Sequence, residues 1–515
     1  MKKQFVAAAV GLLLSASSIA NVVPALEEAN YDQLKQYLND GSLNSEQLVS
    51  YYLDRIQALD KTGPTLNSIL ALNPDAIERA RELDKERSAG KVRGPLHGMP
   101  VVLKDNIDTR APLATTAGAL ALKDNVKAQA APLVEQLEAA GAIVLGKANL
   151  SEWAYFKAFK ASSGYSQLGG QTKNPYVLDR NPCGSSSGSA VSVSANLTLF
   201  AVGTETDGSI VCPASSNGIV GIKPTVGLIP SEGIVPISHS QDSAGPMART
   251  VKDAAILLGV MANPDNKKRE IDYADGLSTV SLKGKRIGVT QHADRFPEPV
   301  KEVFEQALKN LEAEGAVLVR GVALPQEEAL GKAEFEVLLH EFKHDLNAYL
   351  STTPDAVKVK SIDQLVAFNK ANPSTIELFK QELIEMSASK GSLKDEAYTD
   401  AVSTIQKYGK VEGLDKVVAD LNLDALVAPT NTPSWKTDHE NGDKFIASSS
   451  SPAAIVGYPS ITVPMGDVDG LPLGISFFGL AYSEKSLIDI AYAFEKSNNA
   501  RIVPTFKPTL VAKAQ

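Results

Sequence analysis

Hydrophobic positions in residues 44–60 recur with the helical period. Leu48, Tyr52, Ile56 and Leu59 fall on one face behind Asn44, a residue type that caps helix N-termini. Asn73-Pro74 opens a second, strongly charged helical stretch. Beyond it the pattern changes. Short apolar runs at 100–103, 142–145, 197–202, 286–289 and 316–319 read as buried strands, with amphipathic stretches such as 131–140 between them. This alternation predicts an α/β fold around a buried, parallel or mixed sheet. No internal repeat or long flexible linker divides the chain, so one large domain is expected over residues 21–515. Residues 324–420, rich in Glu and Lys and without a strand pattern, are expected to form a helical insertion packed on that sheet.

Composition narrows the partners. The chain has 515 residues, 43% of them hydrophobic, and a formal net charge of -9. A mildly acidic protein lacks the electrostatic footprint for nucleic acid or an anionic membrane surface, so a small-molecule or peptide substrate fits better. Lys2 and Lys3, the apolar stretch from Phe5 to Leu14 and the small-residue site Ser18-Ile19-Ala20 predict a signal peptide over residues 1–20, with a second cleavage point after Ala25. An apolar run this short does not comfortably span a bilayer of about 30 Å, so an exported, periplasmic or secreted protein without stable membrane association is expected. Cys183 and Cys212 are the two cysteines. They can pair in an oxidising compartment or remain as buried thiols, and the sequence leaves both readings open.

Three segments carry candidate chemistry. Lys104 ends the apolar run Pro100-Val-Val-Leu, where desolvation would push its pKa down and make it a base. Cys183-Gly-Ser185-Ser186-Ser187-Gly188-Ser189 offers hydroxyls among small residues and runs directly into an apolar stretch, unlike a linker. Gly203-Thr-Glu-Thr206-Asp207-Gly208-Ser209 is a glycine turn after an apolar run, able to gather peptide N–H groups around one oxygen beside a nucleophilic hydroxyl.

In order and spacing these segments resemble the amidase signature family. The likeness rests on Lys104 in VVLKDN, on CGSSSGSAVSVSAN, and on GTETDGSIVCPASSNGIVGIKPTVG, with Ser185 and Ser209 at the family's separation of 24 residues. It extends through GPLHGMPVVLKDNIDT, SAGPMART, LDALVAPTNTPSW and YPSITVPMG, over roughly residues 35–500. CGSSSGS, GGQTKNPY and TETDGSIVCPA look most similar to bacterial peptide amidases. The resemblance implies a single large domain with a central mixed β-sheet covered by helices. It also implies Ser209 as nucleophile, Ser185 in a cis peptide as proton shuttle and Lys104 as base. Peptide N–H groups of Thr206, Asp207, Gly208 and Ser209 would form an oxyanion hole. The implied reaction passes through an acyl-enzyme and releases ammonia from C-terminal peptide amides, with no metal or organic cofactor. Val211 departs from the arginine common in the family, and Ser187 from a common glycine.

Other patterns compete. His340-Glu341-Phe-Lys-His344 matches the H-E-x-x-H zinc motif and would make the chain an exported zinc peptidase, with a third ligand from Glu396 in the segment Glu396-Ala-Tyr-Thr-Asp400. Gly184-Ser-Ser186-Ser-Gly188 fits the nucleophile elbow of an α/β-hydrolase. Ser387-x-x-Lys390 and Lys61-Thr-Gly63 fit penicillin-recognising motifs, in the wrong chain order. A non-enzymatic exported solute-binding protein would share the α/β architecture. Export and acidity weigh against the tRNA amidotransferase subunit of the same family.

Overall fold

A computed structural model describes residues 26–269 and 272–510, so the expected signal peptide lies outside the described residues. After a helix at Tyr31–Asp40, the first of the expected helices is Ser45–Arg55, which begins as the capping signal requires. Asn44 Oδ1 accepts from Gln47 N at 2.8 Å, and Gln47 Oε1 accepts from Asn44 N at 3.0 Å. The second expected helix follows as Ala76–Ser88.

The strands, in chain order, are β1 (Ile69–Leu72), β2 (Pro100–Lys104), β3 (Ile143–Ala148), β4 (Tyr165–Ser166), β5 (Gly170–Gln171), β6 (Phe200–Glu205), β7 (Val220–Lys223), β8 (Ser243–Ala248), β9 (Arg286–Thr290), β10 (Val317–Val322), β11 (Ala425–Pro429), β12 (Ser460–Val468) and β13 (Leu471–Phe478). β4 and β5 form a separate small hairpin. The other eleven make one mixed sheet in the order β1-β3-β2-β6-β8-β7-β12-β13-β11-β9-β10. All five expected runs are strands, although the run at 197–202 becomes extended only from Phe200. Strands such as β8 (SAGPMA) and β13 (LPLGISFF) escaped the periodicity because Gly and Pro interrupt their apolar pattern.

Helices cover the sheet. Ser187–Ser194 is buried along its whole length, as only a helix of small residues can be when packed tightly on strands. Between β10 and β11 the chain is helical, and its two ends pack differently: Leu414 and Val418 lie against the strand residues Val322, Leu426 and Phe478, whereas the long helix does not rest on the sheet. The long helix Glu327–Ser351 places Leu339, Phe342, Leu346 and Leu350 against Leu122, Trp153, Phe156, Val235 and Ile237, all outside the strands. Its apolar face therefore closes over loops at the rim of the sheet. No helix among the described residues is long and apolar enough to cross a membrane.

Candidate active site

Strand direction gathers the site. β2 and β6 are parallel neighbours in the register Leu103↔Val202, so Lys104 and Thr204 leave the sheet at the same edge. β8 runs antiparallel to β6, with Glu205 opposite Ser243, which brings Asp242 to that edge as well. Ligand sites of α/β sheets favour the carboxyl ends of parallel strands, and this edge is one.

Lys104 is fully buried. Its Nζ donates to Ser185 Oγ at 2.8 Å, to Thr204 O at 3.0 Å and to Thr204 Oγ1 at 2.8 Å. Burial pushes its pKa down to about 7, against the opposing pull of Asp242 and Glu205. As a free amine it would keep two N–H groups for Thr204 and turn a lone pair toward Ser185. Thr204 Oγ1 is held in turn by Asn106 Nδ2 at 3.0 Å.

The Gly184–Ser185 peptide is cis, as the resemblance implied. Around it the serine-rich turn is packed by its own hydroxyls. Ser186 Oγ donates to Thr204 O at 3.0 Å and accepts from Thr204 N at 3.2 Å. Ser187 Oγ donates to Cys183 O at 2.5 Å, which gives this departure from the family's glycine a local role. Gly188 cannot be larger, because a Cβ there would stand 2.2 Å from Ser68 O and 2.5 Å from Asn149 O. Cys183 and Cys212 are disulfide-bonded, resolving the question the sequence left open and joining the two serine-bearing segments.

Ser209 is half-buried, and its carbonyl accepts from Ser186 N at 3.1 Å. The turn before it depends on Gly208, whose φ of 76° lies in the left-handed region. Thr206 donates its hydroxyl to Asp242 Oδ1 at 2.5 Å, and Asp207 Oδ2 accepts from Ser451 Oγ at 2.6 Å. Among the described residues, the N–H groups of Asp207, Gly208 and Ser209 have no protein acceptor, which leaves them open to a ligand. Glu205 takes the N–H groups of Ile210 and Val211 at 2.7 and 2.9 Å, and the Val211 side chain is buried. A guanidinium pocket is therefore absent at Val211. Asp242, pushed up to about 6 by burial, accepts from Ile237 N and Ser238 N and fixes the loop against Thr206.

Competing motifs are not assembled. His340 is buried, with Nδ1 on Glu336 O at 3.0 Å and its ring 5.6 Å from that of Tyr398, while His344 is exposed. Glu341 is engaged by Ser238, Ser240 and Tyr398, so it is not a free general base. The zinc-peptidase reading of His340 and His344 fails on this geometry. Ser186, the elbow candidate, is sealed against Thr204. Lys390 is tied to Glu336 at 2.6 Å.

Thr204, Asn106 and Asp242 were missed from sequence. Thr204 stood inside a quoted segment but carried no signal of contact with Lys104. Asp242 directly precedes SAGPMART, and only the pairing of β8 with β6 brings it into place.

A lysine desolvated against a serine is the arrangement by which some hydrolases do without histidine. The fold defines which. The chain belongs to the Amidase family, whose family model matches residues 47–488, and it is a hydrolase acting on amide bonds. It is 47% identical to a peptide amidase from Stenotrophomonas maltophilia, with a TM-score of 0.88 over 93% of this chain and 99% of that one. It is 40% identical to an amidase family protein from Bacillus anthracis, with a TM-score of 0.85 over 95% of each chain. A probable amidase of Arabidopsis thaliana is 40% identical over 94% of this chain and 92% of its own length. Membership of an enzyme family sets aside the solute-binding alternative.

Proposed function

We propose that the protein hydrolyses C-terminal carboxamides of peptides, releasing ammonia. The observation that carries the mechanism is the buried contact of 2.8 Å between Lys104 Nζ and Ser185 Oγ. The likeness to a peptide amidase at 47% identity supports the substrate class.

Ser209 Oγ attacks the amide carbonyl carbon while its proton passes through Ser185 to Lys104. The new oxyanion is held by the N–H groups of the 206–209 turn, with those of Asp207, Gly208 and Ser209 unclaimed. The C–N bond breaks, the proton returns through the same relay to the nitrogen, and ammonia leaves an acyl ester on Ser209. Water then attacks that ester, its proton following the relay, and the carboxylate departs as Ser209 regains its hydrogen. One amide and one water give one carboxylate and one ammonium. We also propose export to an oxidising compartment, a location suited to the Cys183–Cys212 disulfide.

The test compares C-terminally amidated peptides with acetamide and benzamide, following ammonia release and peptide mass. Conversion of the peptide amide to the free acid, at a kcat/KM at least about tenfold above the small amides, is expected. Equal or greater turnover of the small amides would overturn the peptide assignment and leave the hydrolase intact.

A further inference from the structure

The H-E-x-x-H helix does not build the site its motif advertises, but two of its residues join a different cluster. His239, on the loop leading to Asp242, faces the helix Glu327–Ser351. Its Nδ1 lies 2.8 Å from Asp345 Oδ2, and His344 Nδ1 lies 2.8 Å from Asp345 Oδ1. One ligand atom from each of His239, His344 and Asp345 falls within 4.8 Å of the others, and His340 takes no part.

We propose that His239, His344 and Asp345 bind a borderline divalent cation of the zinc type, which clamps the 237–242 loop to the long helix.

A second set of contacts separates this group from a chance meeting of surface side chains. The other ring nitrogen of His239, Nε2, lies 3.3 Å from Glu341 Oε1. Glu341 is fully buried and cannot swing away. Its Oε1 accepts from Tyr398 OH at 2.7 Å, and its Oε2 accepts from Ser238 Oγ at 2.5 Å, Ser240 Oγ at 2.9 Å and Ser240 N at 3.1 Å. A fixed carboxylate at ion-pair distance behind one nitrogen of a histidine is the outer-shell arrangement of metal-binding histidines, and it leaves Nδ1 as the ligand atom once the proton shared with Asp345 is displaced. Asp345 is fixed as well, since the peptide N–H of His239 donates to its Oδ2 at 2.8 Å.

Geometry accommodates the ion with small movements. Metal bonds of about 2.0–2.2 Å at tetrahedral angles need neighbouring ligand atoms about 3.4 Å apart. The present separations of 2.8 Å are those of shared protons, so the rings open by roughly half an ångström as the cation replaces the proton. Both rings are exposed enough to allow this, at 49% and 60% of their side-chain surface, and the outer face leaves room for water as a fourth ligand. Two imidazoles and one carboxylate select zinc, cobalt, nickel or copper over calcium or magnesium. The clamped loop carries the Ile237 and Ser238 N–H groups that hold Asp242, which holds Thr206. The site is thus joined mechanically to the 206–209 turn without touching the reacting atoms.

The experiment is calorimetric titration of the chelator-stripped, dialysed full chain with zinc chloride, with cobalt absorption spectra and thermal melts alongside. The expected result is one saturable ion per chain, a rise in Tm with zinc, and visible cobalt bands of low coordination number. Affinity should fall at least about tenfold in His239→Ala and in His344→Ala, and remain in His340→Gln. Glu341→Gln should weaken binding without abolishing it. Absence of saturable binding, or binding unchanged in His239→Ala and His344→Ala, would overturn the proposal and leave an adventitious ion only.

Discussion

The segments around Lys104, Ser185 and Ser209 and the helices between Glu327 and Asp420 converge on one rim of the sheet, yet they are held by opposite means. In the first region, buried hydroxyls and amides satisfy one another over distances set to a few tenths of an ångström. Ser186, Ser187, Ser189 and Ser192 each donate to a main-chain oxygen of their own neighbourhood. In the second region, apart from the buried Glu341 held by Ser238, Ser240 and Tyr398, cohesion comes from an apolar face, with ion pairs such as Lys332–Glu328 and Lys416–Asp420 on the exposed side. Hydrogen bonds depend on direction and fail when one partner is lost, whereas apolar packing tolerates exchange at constant volume. The chemistry is therefore confined to the rigid region, and variation is affordable in the helical one. That division suits an enzyme in which reaction and substrate choice are separable.

The sharpest way to break this comparison is at Ser209, the proposed nucleophile. Ser209→Ala should lower kcat/KM for a peptide amide by about 10⁴-fold or more while leaving Tm within a degree or two. Lys104→Ala should approach the same loss, and a near-wild-type rate in either variant would sink the mechanism. In the helical region the expectation inverts. Leu346→Ala opens a cavity under the long helix and should cost about 2–5 kcal/mol in chemical denaturation, with kcat per folded molecule within twofold. The third test is pH. In the proposed relay Lys104 must be neutral to accept a proton, and burial lowers its pKa to about 7, so kcat/KM should fall about tenfold per unit as pH drops below 7. Asp242→Asn removes a negative charge that favours the ammonium, so this limb should move to lower pH. An unmoved limb would assign it to another group. The smallest effect belongs to His340→Gln. It should leave hydrolysis within twofold, whereas loss of activity in the folded variant would revive the motif-based metalloenzyme reading.

The same contrast explains what could be read in advance. Lys104, Ser185 and Ser209 could be picked out only through the resemblance to the amidase signature family, which rests on small residues at fixed offsets such as Gly188, where there is no space for a methyl group. Asn44 likewise announced its helix through contacts three residues away. What escaped depends on pairing between distant segments. Asp242 reaches Thr206 across 36 positions of sequence, and the antiparallel register of β8 decides the meeting. The motif at 340–344 misled for a related reason. Helical spacing puts His340 and His344 on neighbouring turns, but the surroundings bury the first and expose the second. That the long helix packs on loops was equally hidden, because an apolar helical face does not name its counterpart.

The disulfide has a topological meaning beyond cohesion. Cys183 and Cys212 close a covalent ring of chain in which Ser185 stands two residues from one end of the bond and Ser209 three residues from the other. Lys104 lies outside that ring. When the protein opens locally, the two serines stay tethered through five intervening residues and the disulfide, while the lysine returns only when β2 docks again beside β6. The site thus has a covalent half that survives fraying and a conformational half that does not, and the presence of Lys104, the proposed base, reports whether the sheet is whole.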